Sequence, residues 1–261
     1  MPLQVSTADG PTVITLDRPD VLNAFDDELG RDALAAVEEA SLDASVRCIV
    51  LTGAGRAFSS GEDLGALQAG YEKGEVPELG RTLIERYNPL IRAIRSAPKP
   101  VVAAVNGVAA GAGASIALAC DFRIASEKAK LVFAFIKVGL VPDSGGVWFL
   151  TKMVGATRAW RLAATGEPVD AATALDWGLF DRVVSVGEFE QTWRGFAEEL
   201  AAGPTRAFAL TKQLVAHATE HSLDAQLERE VDAQAQAGAT NDHLEGVQAF
   251  LGKREPKFEG R

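Results

Sequence analysis

The segment GLVPDSGG, residues 139–146, places one carboxylate, Asp143, between an apolar run and a pair of glycines. In LVFAFIKVGLV, just upstream, Lys137 is the only charged residue. Apolar surroundings disfavour the charged form of a carboxyl group. They raise its pKa toward working pH and suit it to proton transfer. Asp143 is equally placed to cap a helix over SGGVWFLTKM. A capping box would put Glu or Gln at 146, where Gly146 stands. Spacing alone leaves both readings open. Two more segments could stabilise a developing oxyanion: SSGEDL (59–64) and VAAGAGAS (108–115). Each follows a buried apolar run and leads into a helix. Such junctions leave backbone N–H groups unpaired at the positive end of a helix dipole. The competing reading is that their glycines serve only tight turns.

Other chemistries fail on a required residue. GAGRAFSSG follows a strand as a dinucleotide loop does, but Phe58 occupies the last glycine position of GxGxxG. GASIA around Ser115 lacks the closing glycine of a nucleophile elbow, with Ala117 in its place. The histidines His217, His221 and His243 all fall in the C-terminal third, away from any candidate nucleophile. Cys48 and Cys120 sit in apolar stretches and read as buried, reduced thiols, and no Cys/His spacing suggests a metal site.

The elements that must position these groups read as follows. PTVITL, VRCIVLTG, VVAAV, DFRIAS and LVFAF are strands. Strand, glycine turn and helix recur, which predicts an α/β fold. DDELGRDALAAVEEASLD is an amphipathic helix with acids at its start. Residues 66–80, with three glycines and a proline, read as a mobile surface segment. RTLIERYNPLIRAIRSAPKP puts Leu83, Ile84, Tyr87, Leu90, Ile91 and Ile94 on one helical face, with a kink expected at Pro89. After about residue 187 the pattern is helical throughout. The expected organisation is a core over 1–186 and a helical region over 187–261 that assembles subunits and covers the site.

The chain has 261 residues and a net charge of −10, which argues against nucleic acid or an anionic membrane as the main partner. Residues 101–120 carry no charge, but they are mostly Ala and Gly and include the turn signal Asn106-Gly107. A buried strand, loop and helix explain them better than a membrane span. MPLQVSTADG lacks the pattern of a secretory signal, so the cytoplasm is the expected compartment.

LTGAGRAFSSGEDL and AAVNGVAAGAGASIALACDFRIAS together resemble the two signature regions of the crotonase, or enoyl-CoA hydratase/isomerase, superfamily. The likeness runs from about residue 11 to 185 and resumes in EGVQAFLGKREPKF. It implies a spiral of β-β-α turns with a C-terminal helical region, a homotrimer or dimer of trimers, and acyl-CoA substrates. No metal or redox cofactor is implied, because CoA enters as the substrate thioester. The family's oxyanion hole maps to the backbone N–H groups of Glu62 and Ala112. LDRPDVLNAF matches a CoA-binding turn and supplies Val21 and Ala24. The Ser60 carbonyl matches the position that holds the adenine amino group. Gly61, Asp63, Leu64 and Gly111 complete the two loops. Phe250 and Lys253 match residues that reach a neighbouring subunit's CoA.

Hydratases of this family carry two glutamates at positions that are Ser115 and Phe135 here. Neither residue can move a proton usefully. That leaves Asp143 as the one acid assigned to the pocket, with Glu62 entering only through its backbone. AFIKVGLVPDSGG, ERYNPLIRAI and GVAAGAGAS are most similar to the phenylacetate-pathway branch, whose members isomerise 1,2-epoxyphenylacetyl-CoA. There an aspartate at the Asp143 position is the expected acid/base. The resemblance therefore favours an isomerase using Asp143, with Phe135 and Tyr87 lining an acyl pocket. Shifting a β,γ-enoyl-CoA double bond to α,β is the close second. The rivals are a hydratase, a thioester dehalogenase with Asp143 as nucleophile, and a non-catalytic acyl-CoA or RNA binder.

Overall fold

Short runs of Val, Ile, Leu and Ala, too brief for helices and bounded by glycine or Asn-Gly turns, build the sheets of this computed structural model, which describes residues 1–7 and 10–261. In chain order the strands are β1 (Leu3–Thr7), β2 (Pro11–Leu16), β3 (Cys48–Gly53), β4 (Ala57–Ser59), β5 (Val101–Val105), β6 (Val108–Ala110), β7 (Phe122–Ser126), β8 (Lys130–Val132), β9 (Pro168–Asp170) and β10 (Arg182–Val184). The helices are α1 (Asp27–Leu42), α2 (Leu64–Glu72), α3 (Leu79–Thr82), α4 (Asn88–Ser96), α5 (Ala112–Ala119), α6 (Gly146–Thr165), α7 (Ala171–Asp176), α8 (Phe189–Ala202), α9 (Thr205–Ala218), α10 (Leu223–Gly238) and α11 (Asn241–Leu251).

From β3 to β8, successive strands are dealt alternately to two sheets. One is ordered β1-β2-β3-β5-β7-β10 and the other β4-β6-β8-β9. Thus β3 passes to β4, β5 to β6 and β7 to β8, each pair forming one turn of a β-β-α spiral. β3 and β5 are buried along their whole length, as strands covered on both faces must be. Asn side chains tie the corners of successive turns together. Asn106 Nδ2 donates to the carbonyls of Gly53 (2.8 Å) and Gly55 (2.9 Å), and Asn23 Nδ2 donates to those of Ala54 (2.9 Å) and Ala57 (2.8 Å). These bonds satisfy main-chain carbonyls at the corners, and the Ala57 carbonyl accepts from both Asn23 and Asn106.

Helix α1 starts where the acids predicted, with the Asp26 carboxylate accepting from the Leu29 N–H at 2.8 Å. Helix α8 packs back on the larger sheet, burying Phe189, Trp193, Ala197 and Leu200 against Val13, Cys48, Val50, Val102 and Ala104. The C-terminal tail is anchored too. Arg47 donates to the Phe258 carbonyl at 2.8 Å, and the buried Asp242 accepts from the Glu259 and Gly260 N–H groups. Cys48 and Cys120 are buried free thiols, their pKa values pushed up to about 12 by burial.

Several local details add to the expectations. Residues 66–80 lie at the surface, as expected, and are partly helical: α2 occupies most of the first half and α3 begins near the end. LVFAF is a strand only as far as Val132, and a 3₁₀ helix runs over Ala134–Val138. Just ahead of Pro89, Leu83–Tyr87 form a π turn that runs into α4, with the Asn88 N–H donating to the Leu83 carbonyl. The wider turn shifts the upstream phase, so Ile84 points to solvent while Arg86 and Tyr87 are both buried. Finally, Gly155 (φ 78°, ψ 163°) interrupts α6, a break that the reading of SGGVWFLTKM as a helix start did not anticipate.

Candidate active site

Two loops meet at backbone contact. Gly61 has φ 89°, and a Cβ there would lie 2.8 Å from the Ala110 carbonyl oxygen and 3.1 Å from the Ala112 nitrogen. Only glycine takes that conformation so close to another main chain. The Gly61 N–H donates to Ser59 Oγ at 3.1 Å. Among the described residues neither the Glu62 N–H nor the Ala112 N–H donates within the chain. Ala112 opens α5, so its N–H has no intrahelical acceptor and lies at the positive end of the helix dipole. Gly111 precedes it at φ 53°, and the Phe135 ring lies over it: a Cβ on Gly111 would sit 3.8 Å from Cζ.

Glu62 and Ala112 both line a cavity of about 240 Å³, together with Leu64, Tyr87, Phe135, Leu140 and Asp143. Asp143 does not cap α6. Ser144 (φ 53°) and Gly145 (φ 78°) intervene, and Gly145 takes the N-cap position. The Asp143 carboxylate accepts from Ser144 Oγ at 2.8 Å, and its main-chain carbonyl accepts from Ser115 Oγ at 3.0 Å. Burial pushes the Asp143 carboxyl above the usual aspartate range. The Ser144 hydrogen bond offsets part of that shift, and the Glu62 charge adds to it.

A second carboxylate stands in this pocket. Reading Glu62 through its backbone alone missed its side chain, so Asp143 is not the pocket's single acid. Glu62 lines the cavity, with Oε1 2.8 Å from Arg86 Nη2 and Oε2 accepting from the Tyr87 hydroxyl at 2.6 Å. The Tyr87 ring is buried and its pKa is pushed up, first by burial and then by the Glu62 charge. The Arg86 stem runs over α1 at Gly30, where a Cβ would collide with its Cγ and Cδ. The signal was in ERYNPL, where a charged residue precedes the tyrosine on what the period made the buried side.

The other expected site residues fall into three places. Val21, Ala24 and Ser60 come together: the Ser60 N–H donates to the Leu22 carbonyl at 2.9 Å, and the Phe25 N–H to that of Gly61 at 2.7 Å. Val21 is exposed, Ala24 buried, and the Ser60 carbonyl accepts no bond among the described residues. Asp63 faces away from the cavity, capping α2 at the Ala66 N–H (3.1 Å) and pairing with Arg18 at 2.9 Å. Arg18 also meets Asp26 at 3.0 Å and the Ala24 carbonyl, so it fastens segment 18–26 to the loop. Phe250 is 83% exposed and Lys253 is exposed beside it. Phe250 lines a separate hollow with Pro204, Val247 and Phe258, away from Asp143. Among the described residues no His, Cys, Asp and Glu cluster could hold a metal ion, and no helix is long and apolar enough to cross a membrane.

Residues 7–261 match the profile of the enoyl-CoA hydratase/isomerase family. The 1,2-epoxyphenylacetyl-CoA isomerase of Escherichia coli K12 is 43% identical over 252 residues, covering 97% of this chain and 96% of that protein. A Rhodobacter capsulatus protein described as a probable enoyl-CoA hydratase is 45% identical over 259 residues, covering 99% and 98%. The crystal structure of a Bacillus anthracis enoyl-CoA hydratase superposes with a TM-score of 0.93 at 32% identity, covering the whole of both chains. By profile, sequence and fold, the chain belongs to the enoyl-CoA hydratase/isomerase family.

Proposed function

We propose that this enzyme is an acyl-CoA isomerase in which Asp143 moves the proton and the Glu62 and Ala112 N–H groups hold the thioester oxygen. One observation carries the reading. A carboxylate of raised pKa and two residues with unengaged N–H groups border one largely apolar cavity, whose other walls present Phe135, with Ser115 buried behind, at the two positions where a hydratase would carry glutamates. With a β,γ-unsaturated thioester, Asp143 takes a proton from the α carbon and the electron pair moves onto the thioester oxygen. The two N–H groups stabilise that oxygen, each donor contributing about 3 kcal/mol by analogy with other oxyanion holes. The same carboxyl returns the proton at the γ carbon, leaving the double bond α,β.

The favoured substrate is 1,2-epoxyphenylacetyl-CoA, going to its oxepin isomer. The aromatic wall of Phe135 and Tyr87 and the relationship to the E. coli isomerase support it. Hydration of an enoyl-CoA is the second reading, favoured by the R. capsulatus relative. A UV assay with a β,γ-enoyl-CoA, run with solvent deuterium exchange, tests the proposal. Isomerisation is expected with most of the γ hydrogen coming from the substrate's own α position, because one carboxyl carries it across. Hydration without isomerisation would sink it.

A further inference from the structure

The Glu62 N–H takes its direction from an isolated parallel β-bridge between Phe25 and Glu62. The Phe25 N–H donates to the Gly61 carbonyl at 2.7 Å, and the Phe25 carbonyl accepts from the Asp63 N–H at 2.9 Å. A trans peptide is planar, so pinning the Gly61 carbonyl to Phe25 points the Glu62 N–H away from Phe25. Two consecutive residues grip this bridge. On Glu62, Arg86 Nη2 meets Oε1 at 2.8 Å and the Tyr87 hydroxyl donates to Oε2 at 2.6 Å. On Phe25, Arg86 Nη1 donates to the carbonyl at 3.4 Å, and the Tyr87 and Phe25 ring centroids lie 5.9 Å apart. Arg86 and Tyr87 are both buried, with the guanidinium over the Tyr87 ring, 5.0 Å from its centroid. Burying a guanidinium is costly unless it is paired, and Arg86 Nε has no acceptor among the described residues. The compensation comes through the two Nη groups, which meet both residues of the bridge and the Asp27 carboxylate at 3.6 Å.

We propose that Arg86 and Tyr87 are positioning residues for the reaction: by holding both oxygens of the Glu62 carboxylate, they fix the backbone N–H of Glu62 for the thioester oxygen. Both act through Glu62, whose side chain serves as a handle and not as a proton carrier. The inference rests on the oxyanion role of the Glu62 N–H in the proposed function and does not depend on which group moves the proton.

The test reads the thioester carbonyl directly. Hexanoyl-CoA labelled with carbon-13 at that position is saturated and has no double bond to shift, and hydrogen bonds to its oxygen lower the infrared stretching frequency on binding to the full-length protein. Isomerase kcat and KM with a β,γ-enoyl-CoA are measured alongside. Glu62→Ala and the double variant Arg86→Met/Tyr87→Phe are expected to lose about half of the frequency shift, one donor of two, and at least about tenfold in kcat, with KM moving less. A merely structural role would lower stability and leave the carbonyl frequency of the folded enzyme where it was. Glu62→Gln keeps an acceptor for Arg86 and a polar partner for the Tyr87 hydroxyl, so it should hold the frequency and keep kcat within about threefold. If Glu62→Ala and the double variant do not fold, Tyr87→Phe, which keeps the ring, gives the same readout at smaller size. A frequency unmoved in every variant that folds would overturn the clamp. So would a kcat lost in Glu62→Gln with the frequency held, since Glu62 would then carry a proton itself. No shift on binding to the parent enzyme would overturn the two-donor reading and the clamp with it. A shift that responds as expected in an enzyme without isomerase activity would uphold the clamp and sink only the proton-transfer reading.

Discussion

The hydroxyl of Ser115 donates to the main-chain carbonyl of Asp143 at 3.0 Å, so the buried residue standing at a hydratase glutamate position anchors the loop that carries the candidate base. Helix α5 thus presents an unengaged N–H at its first residue, Ala112, and holds the Asp143 loop in place one turn later. Removing that anchor by Ser115→Ala should lower isomerase kcat about tenfold, as misplacement of a catalytic group does. Binding of hexanoyl-CoA should stay within about threefold. The lost buried hydrogen bond should cost about 1 kcal/mol in denaturant unfolding.

Asp143→Asn separates activity from stability. Isomerisation should fall at least about a hundredfold, the low end for general acid–base catalysis. Stability should move the other way. Burial holds the Asp143 carboxyl above its unfolded pKa, so at neutral pH its ionised form subtracts from stability. The penalty is present above the raised pKa and disappears as pH falls below the ordinary aspartate value. The variant should therefore melt about 2 °C higher at pH 7, and the gap should close as pH is lowered.

The same shift sets the acidic limb of kcat/KM. Activity needs Asp143 ionised, so the limb should lie above the ordinary aspartate value of 3.8. Glu62 contributes to the shift as a neighbouring charge, and Glu62→Gln should move the limb to lower pH. A profile identical to that of the parent enzyme would show that the two carboxylates do not communicate.

Hydration gives a direct contrast. Crotonyl-CoA should be hydrated at least about a hundredfold more slowly than a β,γ-enoyl-CoA is isomerised, because neither Ser115 nor Phe135 can activate water. Comparable rates in one preparation would reverse the assignment.

Gly30→Ala probes the support of Glu62. A methyl group on α1 would meet the Arg86 stem, and overpacking of this kind costs about 1–3 kcal/mol. Shortening Arg86 to alanine in the same background should recover most of the loss. Chemical denaturation of the four proteins in that cycle measures the coupling.

The buried strands, the glycine corners and the start of α1 were legible because short apolar runs and capping acids act locally. The meeting of loops 59–64 and 108–115 was legible only as a pair of helix starts, both backed by a family likeness, at Glu62 and at Ala112. The role of Asp143 as cap or base was not decided locally. The positive φ of Ser144 and Gly145 moves the cap to Gly145, and φ cannot be read from Ser-Gly-Gly alone. The Glu62 side chain was hidden for a different reason: its partners, Arg86 and Tyr87, lie 24 and 25 residues downstream. Ile84 was misplaced because a 3.6-residue period was carried through a turn that holds more residues.

That wide turn over Leu83–Tyr87 amounts to one residue inserted into an otherwise regular helix. It lets two neighbours, Arg86 and Tyr87, face inward together, where a regular turn would splay them apart. The pocket wall is thus written in chain length as much as in side-chain identity. A one-residue deletion upstream of Tyr87 would rotate a different pair against Glu62. In a lineage of such enzymes, a single codon gained or lost here would be a short route to a new substrate range.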